Sequence, residues 1–198
     1  MTGIVGYGTY IPKYRLKLSE IASMWGKDIV EIESGLKIAE KSVPGIDEDS
    51  VTMGIEAGRK AIEMAKILPK ELQSVYFGSE SHPYVVNPSS TILGEYLGVG
   101  NNYFAADLEF ACKAATAGMQ VTVGLLESKN VEYGLVVGSD VAQGRPHDAL
   151  EYTAASAACA YILGNKETEV IAKVLSMSSF SSDTPDFWRR EGAKYPSH

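Results

Sequence analysis

Short apolar runs alternate along the chain with longer stretches of helical period. Gly3 to Thr9 mixes small, β-branched and aromatic residues ahead of Pro12 and predicts a first strand. Ser19 is placed to cap a short helix through Trp25, with Leu18, Ile21, Ala22 and Trp25 at helical spacing. Lys27 to Pro44 is polar without a period and closes on a Pro-Gly turn. Asp47 or Asp49 can cap a long helix carrying Val51, Ile55, Ala61, Ile62 and Ala65 on one face and ending before Pro69. Its small residues Gly54, Ala57, Gly58 and Ala61 suit close approach of either a second helix or a sheet.

Further along, Ser74 to Ser79 reads as a second strand, followed by Glu80-Ser81-His82-Pro83. A helix starts at Pro88-Ser89 and stops at Gly98. Tyr103 to Asp107 predicts a third strand, and Cys112 opens an Ala- and Gly-rich helix to about Lys129, apolar almost all round. Val131 to Gly138 predicts a fourth strand ending in Ser139-Asp140, and Thr153 to Gly164 a fifth. Val170 to Met177 is expected to extend the fifth strand or pair with it, and Ser178 to His198 is polar and aromatic without a period. Strands alternating with helices imply an α/β fold with a mostly parallel sheet covered on both faces.

Composition narrows the function classes. The 198 residues carry a formal net charge of -7, which argues against a nucleic-acid partner. No run is apolar and long enough to span a membrane. The N-terminus lacks the basic start and cleavage site of a signal peptide, and two cysteines suit a reducing compartment; the expected location is the cytoplasm.

In open α/β sheets, ligands gather beyond the carboxyl ends of the strands. Glu80, the Asp107–Cys112 loop and Asp140 all follow predicted strands, so in a parallel arrangement they converge on one rim. Cys112 is either buried packing or a nucleophile whose thiolate is favoured by a helix N-terminus. Glu80 is either a loop acid or a base able to take a proton from the carbon beside a thioester carbonyl. Asp140 either caps or turns the chain. His82 and His147 read as solvated loop residues, Cys159 as structural, and no spacing suggests a metal site. Trp188, Arg189, Arg190 and Lys194 offer either phosphate contacts or plain surface.

Taken together, GIVGYGTYIPKYR, EKSVPGIDEDSVTMGIEAGR, FGSESHPYVVNPSS, AADLEFACKAAT, VVGSD, YTAASAACAYILG and DFWRREGAKYP resemble, in order, the archaeal-type hydroxymethylglutaryl-CoA (HMG-CoA) synthases of the thiolase superfamily. The resemblance implies a layered αβαβα fold around a mixed, mostly parallel five-stranded sheet. Residues 1–168 would form an N-terminal half. Residues 169–198 would supply a crossover strand and the start of a connection to a second half. It also implies that acetyl-CoA acylates Cys112, that Glu80 removes a proton from the acetyl methyl group, and that the carbanion attacks acetoacetyl-CoA. A histidine from the second half would polarise the ketone; His198 is not assigned that role. Asp28, Ile29 and Thr153 match positions that touch ligand in relatives, whereas Ala154 and Ala155 replace residues that are Gly in many of them. No metal or other cofactor is implied. The implied partners are a second copy of the chain, an acetoacetyl-CoA thiolase and a zinc- and OB-fold bridging protein, with a place in the mevalonate route to isoprenoids. A ketoacyl-ACP synthase III-like condensing enzyme and a non-catalytic thiolase-fold scaffold subunit are the alternatives.

Overall fold

The computed structural model describes residues 1–142, 144–185, 188–190 and 192–197. In chain order its elements are β1 (Gly3–Tyr10), β2 (Tyr14–Lys17), α1 (Leu18–Met24), α2 (Ile29–Leu36), β3 (Glu40–Val43), α3 (Ser50–Ala65), β4 (Ser74–Gly78), α4 (Ser89–Leu97), β5 (Phe104–Leu108), α5 (Ala114–Glu127), β6 (Tyr133–Val141), α6 (Leu150–Thr153), β7 (Ser156–Gly164) and β8 (Ala172–Lys173).

Six strands form the main sheet in the order β5-β4-β6-β7-β1-β8, while β2 and β3 pair separately. β4 is parallel to β5 and β6, β7 is antiparallel to β6 and β1, and β8 is antiparallel to β1. Four strands therefore share one direction. Five strands form the body of the sheet, and the two-residue β8 adds a sixth at its edge.

Alternation across the sheet separates two cores. Val75, Phe77, Leu135, Val137, Ala160 and Ile162 join the residues of α3 and α4 on one face. Tyr76, Val136 and Leu163 meet Val123 and Leu126 of α5 on the other. Each fully buried Phe, Leu or Ile among them contributes about 1.5–3 kcal/mol. The small residues of α3 serve mainly sheet packing. A Cβ on Gly8 would lie 2.2 Å from the Ala57 carbonyl oxygen, so α3 rests almost directly on β1. Gly58 is the exception, taking the Leu97 side chain of α4.

Asp49, rather than Asp47, caps α3: its carboxylate accepts from Thr52 N–H while the Thr52 hydroxyl accepts from Asp49 N–H. Several expectations need correction. Lys17 stands at the N-cap of α1, where no side chain caps, so Ser19 lies inside the helix. The stretch expected to be irregular contains α2 and β3, because an Asp28 cap and pairing with β2 supply order that periodicity does not reveal. β7 begins at Ser156, opposite Val141, because the end of β6 limits the ladder; Thr153 belongs to α6 instead of opening the strand. The final strand pairs with β1, not with β7, whose edges are already occupied by β6 and β1. His198 lies outside the described residues, as do Asp186, Phe187 and Glu191 of the matching tail.

Candidate active site

The register of the three parallel strands builds the site. Gly78 is paired with Leu108 on one side and Gly138 on the other, so the chain leaves β4 and β5 at one level while β6 runs on to Val141. Glu80 and Cys112 follow these two ends, whereas Asp140, expected beyond its strand, lies within β6 opposite Ala157 because pairing with β7 carries that strand on. The sulfur is exposed rather than sealed in packing, and Cys112 Sγ lies 3.7 Å from Glu80 Oε1.

Gly78 sets that proximity. A Cβ there would sit 2.4 Å from Ala115 N and 2.7 Å from the Ala114 carbonyl carbon, so only glycine lets the start of α5 reach the end of β4. Just before the cysteine, Ala111 takes a left-handed φ of 42°, turning the chain between β5 and α5. The helix itself starts at Ala114, so Cys112 stands two residues ahead of it instead of opening it.

The Glu80 segment is fastened by hydrogen bonds. Asp140 Oδ1 accepts from Ser79 Oγ (3.0 Å), Glu80 N–H (2.7 Å) and Ser81 Oγ (2.8 Å), while Ser81 Oγ in turn accepts from Val141 N–H at 3.0 Å. Ser50 Oγ donates to the Ser81 carbonyl at 2.8 Å. Asp140 is thus the clamp that joins the end of β6 to the residues around Glu80.

The electrostatics reverse the expectation of a stabilised thiolate. Burial, then the Glu80 charge and its hydrogen bond, push the Cys112 thiol above its ordinary value. With the helix starting two residues later, the field of its N-terminus is displaced from the sulfur, and the adjacent group is an anion. Glu80 is itself raised, first by burial and then by Asp140, and lowered in part by the bond from Cys112. The resting arrangement is a thiol donating to a carboxylate that is a stronger base than an ordinary glutamate. Such a pair can pass the thiol proton to the carboxylate as the sulfur attacks.

The other expected residues are dispersed. Asp28 caps α2, accepting from Val30 N–H at 2.8 Å, with half-buried Ile29 beside it. Thr153 is exposed at the end of α6. This region meets α1 through Trp25, whose ring stacks on exposed His147 at 4.6 Å and whose Nε1–H donates to Glu151 at 2.9 Å. Cys159 lies on β7 in register with Gly138, and its thiol is raised by burial. Arg189 joins Glu80, Asp107 and Glu109 around a cavity of about 380 Å³.

His82 departs furthest from the sequence reading. Its side chain is only 9% exposed, with Nδ1 2.9 Å from Ser89 Oγ and 3.5 Å from Asp107 Oδ2. A histidine two residues beyond a strand-end acid, followed by proline, was the only sequence signal; its burial depends on Asp107 from another strand.

The sheet and its two helical faces, with the Cys–Glu pair at one rim, give an α/β protein with a thiolase-type fold. Over all 198 residues the chain is 56% identical to the hydroxymethylglutaryl-CoA synthase of Archaeoglobus fulgidus, of whose length it spans 57%. It is 55% identical, again over its full length, to the synthase of Methanocaldococcus jannaschii, spanning 57% of that protein. Among solved structures, the MvaS protein in complex with 3-hydroxy-3-methylglutaryl coenzyme A superposes with a TM-score of 0.90 at 23% identity, covering 99% of this chain and 47% of that one. No family model matches the chain.

Proposed function

We propose that the chain is the nucleophile-bearing half of an HMG-CoA synthase. The observation that carries this reading is the 3.7 Å contact between an accessible thiol and a carboxylate on the adjoining strand end. Acetyl-CoA would transfer its acetyl group to Cys112 Sγ, the thiol proton passing to the departing CoA sulfur, so that Glu80 is left as the free carboxylate. Glu80 would next remove a proton from the acetyl methyl group, and the carbanion would attack the ketone carbon of acetoacetyl-CoA. Water would then free the product from Cys112. Side chains carry every transfer in this scheme, so it calls for no cofactor.

The group that polarises the ketone belongs, on this reading, to the remainder of the protein, beyond the 57% of the relatives' length that the chain spans. Residues 1–168 would be the first half and residues 169–198 the crossover. Asp28, Ile29 and Thr153 would border the CoA passage, beside the Trp25–His147 stack. A homodimer would form along β5, an edge strand of the sheet whose Phe104 is 53% exposed and next to which Tyr84, Val85 and Val86 protrude. Association with a thiolase and a bridging protein, and a place in the mevalonate route, belong to the same reading. So does a cytoplasmic location, which the two free cysteines suit. Among the described residues, no helix is long and apolar enough to cross a membrane.

In the full-length protein, Glu80→Ala should retain radiolabel from acetyl-CoA on Cys112 while condensation falls by about 10²-fold or more. Undiminished condensation would point to a ketoacyl-ACP synthase III-like enzyme, and absent label on unmodified protein to a scaffold subunit.

A further inference from the structure

The segment around Glu80 is held from two sides. Asp140 binds it to the end of β6, as described above. On the opposite side the tie is His82. Its Nδ1 meets Ser89 Oγ and Asp107 Oδ2, and Asp107 also accepts from Ser89 N–H at 2.6 Å and Ser90 N–H at 2.8 Å, capping α4. Asp107 lies on β5 in register with Phe77 of β4, five residues before Cys112. His82 lies two residues after Glu80. The imidazole is therefore a side-chain strut between the segment that carries the carboxylate and the one that carries the sulfur.

Two features make this strut selective. The ring's other nitrogen, Nε2, is buried and has no hydrogen-bond partner among the described residues, so among them Nδ1 alone orients it. Phe77 lies tilted against the ring at 5.6 Å and supplies only packing. Immediately after His82, residues 83–88 run exposed, and Val86 adopts a left-handed φ of 78°, an unfavourable conformation for a β-branched residue. His82 is the point at which this strained excursion is separated from Glu80.

We propose that His82 is a positioning residue that, through Ser89 and Asp107, sets the separation of Glu80 from Cys112. It touches neither reacting atom. Without the strut, the segment keeps its Asp140 clamp but loses its tie to β5, and Glu80 is no longer held against the sulfur. The inference rests on the proposed function for its catalytic consequence, but the separation itself is measurable without catalysis. Glu80, with Asp140 behind it, is the charge that raises the Cys112 thiol, so the pH dependence of Cys112 alkylation reports how near Glu80 stands.

The test uses the full-length protein carrying His82→Ala, His82→Asn or His82→Gln, with iodoacetamide as the probe. Asn places its amide where Nδ1 was, whereas Gln reaches toward the Nε2 position. In the Ala and Gln variants the alkylation midpoint should fall toward that of Glu80→Gln. Condensation should drop by about 10²-fold, the cost typical of a 1 Å misplacement, with label still reaching Cys112. Asn should restore both readouts. Should the Ala variant fail to fold, the Asn–Gln contrast decides: equal behaviour of the two overturns the proposal, as does an Ala profile that coincides with wild type. Loss of acetyl labelling in unmodified protein would overturn the proposed function while leaving the alkylation result standing.

Discussion

Cys112 sits beside an anion rather than a cation, and this governs how the two groups share protons. Neutralising Glu80 as Glu80→Gln removes the charge and the ionic hydrogen bond that raise the thiol, so alkylation of Cys112 should reach half-maximal rate at a lower pH than in wild type. The same residue has a consequence for stability. Its folded-state value is raised, so its favourable contribution is complete below the ordinary carboxylate range and is lost as pH rises through the shifted value. Thermal melts should therefore show Glu80→Gln matching wild type in acid and exceeding it near neutrality. A lower melting point for the variant at neutral pH would contradict the raised value. At this scale the sequence singled out Cys112 and Glu80 from their places after strands, and the structure brings the two together, but the sequence misjudged the sulfur's charge environment. That depends on which neighbour lies across the rim, and strand spacing does not contain it. His82 was missed for the same reason: a polar loop residue becomes a buried one only when β5 brings Asp107 against it.

Among the elements, the contact between the end of β4 and the start of α5 is the one on which the site depends. Gly78→Ala would force a methyl group against backbone atoms of Ala114 and Ala115, which cannot rotate away. The expected cost is about 1–3 kcal/mol of stability in denaturant melts, together with a loss of condensation larger than the unfolded fraction explains. Gly35→Ala serves as the control: a Cβ there meets nothing within 4 Å and the site lies in α2, so a gain of about 0.5–1 kcal/mol is expected. Strands β1, β4, β6 and β7 and the helices α3, α4 and α5 were legible because each buries a continuous run or a regular stripe; β5, exposed or half-buried throughout, was legible from its apolar composition. The paired strands β2 and β3 were not, since their residues are exposed or half-buried and carry no alternation. The end of each ladder also escaped, because a strand such as β7 begins only where its partner offers a hydrogen bond.

On the scale of the whole molecule, α5 is the informative helix. Its composition is apolar almost all round, and a helix buried on every side was expected; instead one face lies on the sheet while Thr116, Val121 and Gly124 are exposed. Beyond it, Leu175 and Phe180 are 88% and 89% exposed. Exposed apolar surface gathered in one place marks an interaction site. The proposed cover is the rest of the synthase, which would at once bury α5 and bring the ketone-polarising group over Cys112. Residues 1–198 produced alone should then self-associate with concentration in sedimentation velocity, and Val121→Glu should reduce that association by placing charge on the open face. In the full-length protein the same substitution would push a carboxylate into the buried seam between halves, lowering both melting temperature and condensation. Measurable HMG-CoA formation by the 198 residues alone would remove the need for a second half and defeat this account of α5.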